Sequence, residues 1–385
     1  MNSAHKEINV IGAGPAGLVA AINLAKAGFA VTLHEAASGV GHRFHGDFQG
    51  IENWTAAGDA REFLNRINVE ANFRFEPYRG GVFFSPSLQR REIRTREPLF
   101  YLVERGGNEG CLDFGLQRQA EEAGVRIVLN SRSWNVDQGG IIAVGPRAAD
   151  VIAKGIVFET DAEDEVYAIV DDRLAPKGYA YLLVNQGRAT LATVIYRDFR
   201  NEKIYLERTL QTFQKLVPMD IRNAREFGGY GNFFLRPSAV QGKKLYLGES
   251  AGFQDALFGF GMRYAMMSGF LAAQSIVNGS SYDELWQANL LPSLRTSASN
   301  RMIYEFLGNS GYEFIFKRTA TKADLRDTLR QQYNSSFLKA GLFPLVLFLG
   351  AVLKRMRVED KSCHHEDCSC VWCAHMKHQQ IAAVC

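Results

Sequence analysis

Ile8-Asn9-Val10-Ile11-Gly12-Ala13-Gly14-Pro15-Ala16-Gly17 is the stretch on which the fold turns. Ile8–Ile11 is a short apolar run that stops at a glycine, the pattern of a buried strand entering a tight turn. Leu18–Ala27 is a run of small and apolar residues at helical spacing, and Ala30–His34 is a second strand. The unit is therefore strand, glycine-rich turn, helix, strand. Each glycine has its own reason. Gly12 permits the turn, Gly14 lets the backbone approach a pyrophosphate, and Gly17 lets helix and strand pack closely. Pro15 and Ala16 open the helix, whose free N–H groups and positive dipole end favour phosphate. Glu35 ends the second strand, with 17 residues between it and Gly17. A carboxylate there can accept hydrogen bonds from ribose hydroxyls and would repel a 2′-phosphate.

Outward from this unit the chain alternates between two patterns. Gly81–Ser85 and Leu99–Val103 are aromatic and alternating. Leu112–Ala123 is helical and closed by Gly124, and Val125–Leu129 and Ile141–Val144 are further strands. Val166–Val170, Tyr179–Val184 and Ala189–Tyr196 are strand-like. Leu245–Leu247 precedes a helix from Met262 to Val277, and residues 282–338 are mainly helical. The expected architecture is α/β: a Rossmann-like nucleotide-binding domain interrupted by a mixed β-sheet substrate domain, with a helical C-terminal part. The boundaries expected are 1–75, 104–150 and 241–280 for the nucleotide domain. The sheet domain takes 76–103 and 151–240, the helical part 281–360, and a Cys/His-rich tail 361–385.

Composition bounds the partners. The chain has 385 residues, 22% of them charged, and a net charge of +3. That balance, without a long basic run, argues against a nucleic-acid partner. No signal-peptide pattern precedes the glycine motif, so a cytoplasmic location is expected and the Asn-x-Ser/Thr matches at Asn53, Asn278 and Asn334 read as chance. Five of the six cysteines fall in the last 23 residues, which fits a reduced protein with a special tail better than a disulfide framework. In that tail Cys363, Cys368, Cys370 and Cys373 lie among His364, His365, His375 and His378. Thiolate and imidazole at this density favour zinc, while an iron–sulfur cluster has no matching spacing. Ala340–Leu353 is 14 residues without charge, bracketed by Lys339 and by Lys354, Arg355 and Arg357. It is too short to span a bilayer. It reads either as a peripheral membrane anchor over 339–357 or as a buried helix.

A second motif follows the Leu245–Leu247 strand: Gly248-Glu249-Ser250-Ala251-Gly252-Phe253-Gln254-Asp255, then Gly259-Phe260-Gly261-Met262. It resembles the second flavin motif of the para-hydroxybenzoate hydroxylase superfamily, with Glu249 where aspartate is usual. The resemblance implies FAD, with Glu249 on the ribityl hydroxyls and the Gly259–Met262 turn aimed at the isoalloxazine pyrimidine ring. Gly252 and Asp255 belong to the same segment. Arg43-Phe44-His45-Gly46-Asp47, Gly178-Tyr179-Ala180-Tyr181 and Arg263–Gly269 are further similar to the geranylgeranyl reductase family, over about residues 7–290. That family implies reduction of carbon–carbon double bonds in an isoprenoid or other lipid, with the electron donor, NAD(P)H or ferredoxin, left open; an FAD-dependent monooxygenase and a non-catalytic flavin- or lipid-binding protein are the alternative readings. It also implies Arg43 on the flavin side and His45 as proton donor, although a structural role for His45 is open. The sequence departs from the family at Leu182-Leu183-Val184 and at His45, which stands where cysteine is usual. Ala143-Val144-Gly145-Pro146 lacks the acid of the superfamily's monooxygenases. The flavin-halogenase Trp-x-Trp-x-Ile-Pro segment is missing.

Histidine is absent between His45 and His364, so a Ser–His–Asp hydrolase is unsupported. Any redox chemistry belongs to the cofactor, with the protein supplying position and protons. Tyr179 and Tyr181 flank Ala180 and share one side of a strand. They either line an apolar pocket or serve as sheet packing.

Overall fold

The computed structural model describes residues 7–341 except 57, 133–135, 137–138, 147–148, 234, 320–323, 335–338 and 340. The chain divides into two compact units. One takes Met1–Glu76, Tyr101–Arg147 and Asn232–Ser297. The other takes Pro77–Phe100, Ala148–Gly231 and Ala298–Cys385. The fold class is α/β with a Rossmann-like half, as the glycine motif predicts.

In the first unit a six-stranded sheet runs in the order Val240–Gln241, Lys244–Tyr246, Gly140–Ile142, Glu7–Ile11, Ala30–His34, Arg126–Val128. Every pairing is parallel except the outer two-residue hairpin. Parallel strands are covered on both faces, which is why these segments read as plain apolar runs. The helix Pro15–Lys26 makes the crossover between the first two strands and buries Leu18, Val19, Ile22 and Leu24 completely. Its partner is the helix Met262–Asn278. A Cβ at Gly269 would lie 2.3 Å from the Ala16 carbonyl oxygen. Only glycine there lets the two helices approach this closely.

The second unit holds a seven-stranded mixed sheet: Arg222–Gly231, Val151–Glu159, Arg188–Ile195, Tyr179–Asn185, Val166–Ile169, Gly80–Phe84, Arg90–Arg94. Only the Val166–Ile169 and Gly80–Phe84 pair is parallel. Ala180, Leu182 and Val184 face a core that also contains Leu206 and Phe213 of the helix Glu202–Leu216. That helix was not anticipated among the strand runs of residues 151–240. Its signal is the spacing Leu206, Leu210, Phe213, the apolar stripe of an amphipathic helix.

Helices Tyr282–Asn289, Leu291–Phe306, Asn309–Thr319 and Leu325–Tyr333 complete the described chain. In the second unit Arg301, 1% exposed, stacks 3.9 Å over the Tyr196 ring and donates to the Lys177 carbonyl at 2.6 Å. Arg197 pairs with Glu305 at 2.7 Å. These charge-assisted bonds tie the late helices to the sheet's loops. Among the described residues no helix is long and apolar enough to cross a membrane.

Candidate functional site

The glycine loop leaves the strand Glu7–Ile11 at its carboxyl end, where open α/β sheets bind ligands. Gly12 has φ +102°, and a Cβ there would lie 2.3 Å from the Ala143 carbonyl oxygen. A Cβ at Gly17 would lie 2.0 Å from the Gly12 carbonyl oxygen. Both positions are closed by the protein itself. Gly14 differs: a Cβ there meets nothing within 4 Å. Gly14 is also the extended N-cap of the helix, which has Pro15 at its start, no side-chain cap and no acid in its first turn. The first-turn N–H groups and the dipole are therefore left uncompensated on the open side of the loop. By contrast Asp59 and Ser281 cap their helices, and Asp113 stands in the first turn of Leu112–Glu122.

Glu35 completes this edge. Its Oε2 accepts from the Ala13 N–H at 2.8 Å and its Oε1 from the Ala37 N–H at 2.9 Å. The carboxylate is thus fixed beside the loop, and each oxygen keeps a second lone pair for a hydroxyl.

The second motif forms a short 3-10 turn, Gly248–Ala251, just after the strand Lys244–Tyr246. Gly248 has φ +52°, and its Cβ would lie 3.3 Å from the Ala16 Cβ and 3.4 Å from the Ala265 Cβ. The first turns of the two packed helices therefore meet at this residue. The helix Met262–Asn278 starts at Gly261 and Met262, again with no side-chain cap and no first-turn acid. Gly259 and Gly252 take positive φ. Asp255 is fully buried and shapes the loop: it accepts from the Phe258 N–H at 2.7 Å and from the Ser297 hydroxyl. Two uncapped helix N-termini, an open glycine and a fixed acid are what a pyrophosphate-linked dinucleotide needs. The residues present fit FAD in that sense.

Charged groups surround Glu249. Arg105 is buried and bidentate to Asp113, at 2.8 Å on each oxygen. Phe44 lies 4.0 Å from the Arg105 guanidinium and 4.6 Å from that of Arg43. Burial pushes the Glu249 carboxyl up to about 7, against the pull of Arg43 and Arg105. Burial also raises Asp47, whose carboxylate accepts from Gln49 at 2.8 Å. His45 is exposed, and its backbone N–H donates to Asp47 at 3.3 Å. Sequence reading found Arg43 but missed Arg105 and its pairing with Asp113. The hint was a charged residue before Gly106-Gly107 and an acid at a helix start.

Tyr179 and Tyr181 lie on the sheet of the second unit, half-buried, with ring centres 6.1 Å apart. The ladder places Ala192, Gly155 and Ala168 on their face. The Phe227 ring covers Gly155, where a Cβ would meet it at 2.6 Å. The face is a floor of small residues between aromatic side chains. Cys111 and Asn53 are both buried. Cys363, Cys368, Cys370 and Cys373 lie outside the described residues, as does nearly all of 339–357. Among the described residues no group of three or more His, Cys, Asp or Glu is arranged to hold a metal.

A family profile for the NAD(P)-binding Rossmann-like domain matches residues 10–51. Thiamine thiazole synthases of Pyrococcus horikoshii and Pyrococcus abyssi are each 28% identical over 110 residues, which is 27% of this chain. The match spans 42% of those relatives' length. A geranylgeranyl bacteriochlorophyll reductase-like structure from Thermoplasma acidophilum superposes with a TM-score of 0.67 at 16% identity, covering 90% of this chain and 99% of its own. A myxobacterial chondrochloren halogenase gives 0.57 at 17% identity, covering 89% and 97%. The chain thus has the fold of the FAD-dependent oxidoreductase superfamily that its motifs resemble.

The glycines separate folding from binding. Gly17→Ala places a methyl against a backbone oxygen and should cost about 3 kcal/mol. Gly14→Val meets open space and should cost about 1 kcal/mol, through a poorer N-cap. Urea unfolding of the cofactor-free protein checks the order, and equal losses would contradict it. Glu249 sets a pH trend. A carboxyl raised in the folded state binds its proton more tightly there than when unfolded. Its contribution is full below the ordinary glutamate range and is lost as pH rises toward about 7. The difference in stability between wild type and Glu249→Gln should therefore change with that sign in cofactor-free protein, as read by denaturant midpoints across that window.

Proposed function

We propose that this chain is an FAD-dependent oxidoreductase that reduces carbon–carbon double bonds in an isoprenoid or other lipid. The observation that carries the reading is the meeting of two uncapped helix N-termini at Gly248, beside the open Gly14 and the fixed Glu35. Bound FAD would supply the hydride. Gly12, Gly14, Pro15, Ala16 and Gly17 would hold the pyrophosphate and Glu35 a ribose. Glu249 would take the ribityl hydroxyls, helped by Arg43, Gly248 and Gly252, while Asp255 would hold the shape of the loop leading to Gly259. Gly259, Gly261 and Met262 would present N–H groups to the ring. The lipid reading is supported by the Tyr179 and Tyr181 face, whose Ala and Gly floor offers apolar contact. The same site run backwards would desaturate. NAD(P)H or ferredoxin is the proposed electron donor.

An alkene also needs a proton at its second carbon. His45 is the proposed donor: it is exposed, so water can recharge it, and a protonated imidazole donates through either ring nitrogen. Tyr179 and Tyr181 are the alternatives. A monooxygenase reading draws on the likeness to halogenase and monooxygenase folds. The departure at Ala143–Pro146 counts against it.

The wild type should release FAD on extraction and Gly14→Val should not. The reduced enzyme should be reoxidised by lipid alkene without oxygen, and His45→Ala should slow that step about 10²-fold with FAD retained. Oxygen-dependent product instead of anaerobic turnover would select the monooxygenase.

Residues 339–357 are proposed as a peripheral membrane contact, on their uncharged core and flanking cations. Zinc capture by the Cys/His tail is proposed on its ligand density alone. One chain truncated before Lys339 tests both. It should lose flotation with anionic liposomes and lose bound zinc, and unchanged behaviour in either assay would remove that role.

A further inference from the structure

The strand Phe48–Glu52 ends in a carboxyl that no residue reaches from solvent: Glu52 is 0% exposed. Its Oε1 accepts from the Thr55 hydroxyl at 2.9 Å. Its Oε2 has no hydrogen-bond partner among the described residues. Arg263, second residue of the helix Met262–Asn278, is 4% exposed and donates from Nη1 to the Glu52 carbonyl oxygen at 3.0 Å. Its Nη2 is likewise without a partner, and its guanidinium lies 4.8 Å over the Phe63 ring. The two side-chain charges form no ion pair. A buried carboxyl outside any ion pair ionises less readily, since ionisation there forfeits water.

We propose that Glu52 is a positioning residue that holds a proton behind the first turn of the helix Met262–Asn278 and takes up or releases it as charge at that helix end changes. Several charged or titratable groups face this pocket of the first unit. Arg263 and Asp255 act on Glu52 directly, and Tyr264, Asp59 and Arg66 act on Arg263. Burial pushes the Glu52 carboxyl up to about 7, Arg263 opposes this, and Asp255 adds to it. The same burial lowers Arg263. Neutral pH is therefore where a nearby negative charge shifts the proton most. Arriving negative charge raises the carboxyl further and draws a proton in. By reciprocity, the held proton makes arrival of that charge easier. The role rests on the FAD reading, because only that reading brings electrons to this helix end.

Two measurements test it. In cofactor-free protein, infrared pH titration should show a protonated carboxyl band that disappears across neutral pH. Glu249 titrates in the same window, so Glu52→Gln, which keeps the shape without the charge, should remove part of that band and leave the Glu249 part, and Glu52→Asp should restore the missing part. An identical titration in Glu52→Gln overturns the assignment. In FAD-loaded protein, the midpoint potential should fall with pH more steeply in wild type than in Glu52→Gln, by about one proton per two electrons at most. Equal slopes in loaded protein overturn the role of Glu52 alone. A chain that takes up no flavin overturns the cofactor reading, and this role with it.

Discussion

The close approach of Gly17 to the carbonyl of Gly12 is the constraint on which the cofactor unit depends. A 2.0 Å gap to a would-be Cβ leaves no room for any side chain. With glycine there, the first helix starts hard against the first strand. Ala16 then reaches Gly269, and Gly248 fits between Ala16 and Ala265. Each contact is steric and each needs a small residue. Together they set two helix starts side by side, with their dipoles unopposed by any capping side chain.

Electrostatics follows from this packing. Apolar strands and small-residue helices surround the site, so charges placed there lose their water. Arg105 and Asp113 answer with a buried bidentate pair. Glu249 and Glu52 have no such bidentate partner, and their carboxyls rise toward neutrality. Arg263 responds in the opposite sense, as a buried cation should. Charge at the site is thus tuned by burial more than by pairing.

The second unit solves a different problem. Its sheet puts Ala180 and Leu182 against the helix Glu202–Leu216 and leaves Tyr179 and Tyr181 on the other face. Opposite strands contribute Ala192 and Gly155 to that face. Small residues there keep a shallow surface that bulky side chains would fill. The Arg301 and Tyr196 stack fastens the late helices to the same unit through buried groups.

The residues alone determined the parts whose physics is local. Gly12 and Gly17 announce their turn because the positive φ of Gly12 and the contact of Gly17 with the Gly12 carbonyl oxygen arise within a few positions, and Glu35 follows at a spacing set by one helix and one strand. The strand Ala30–His34 and the start of the helix at Met262 are legible for the same reason. Alternation was enough to put Tyr179 and Tyr181 on one side of their strand. Tertiary structure decided what depends on distant segments meeting. Residues 52 and 263 are far apart in the chain, and nothing local marks Glu52 as buried beside Arg263. The Arg105–Asp113 pair and the inward turn of Asp255 onto Ser297 are likewise set by packing. Spacing fixes a motif, but only enclosure removes water from a carboxyl, and enclosure is a property of the folded chain.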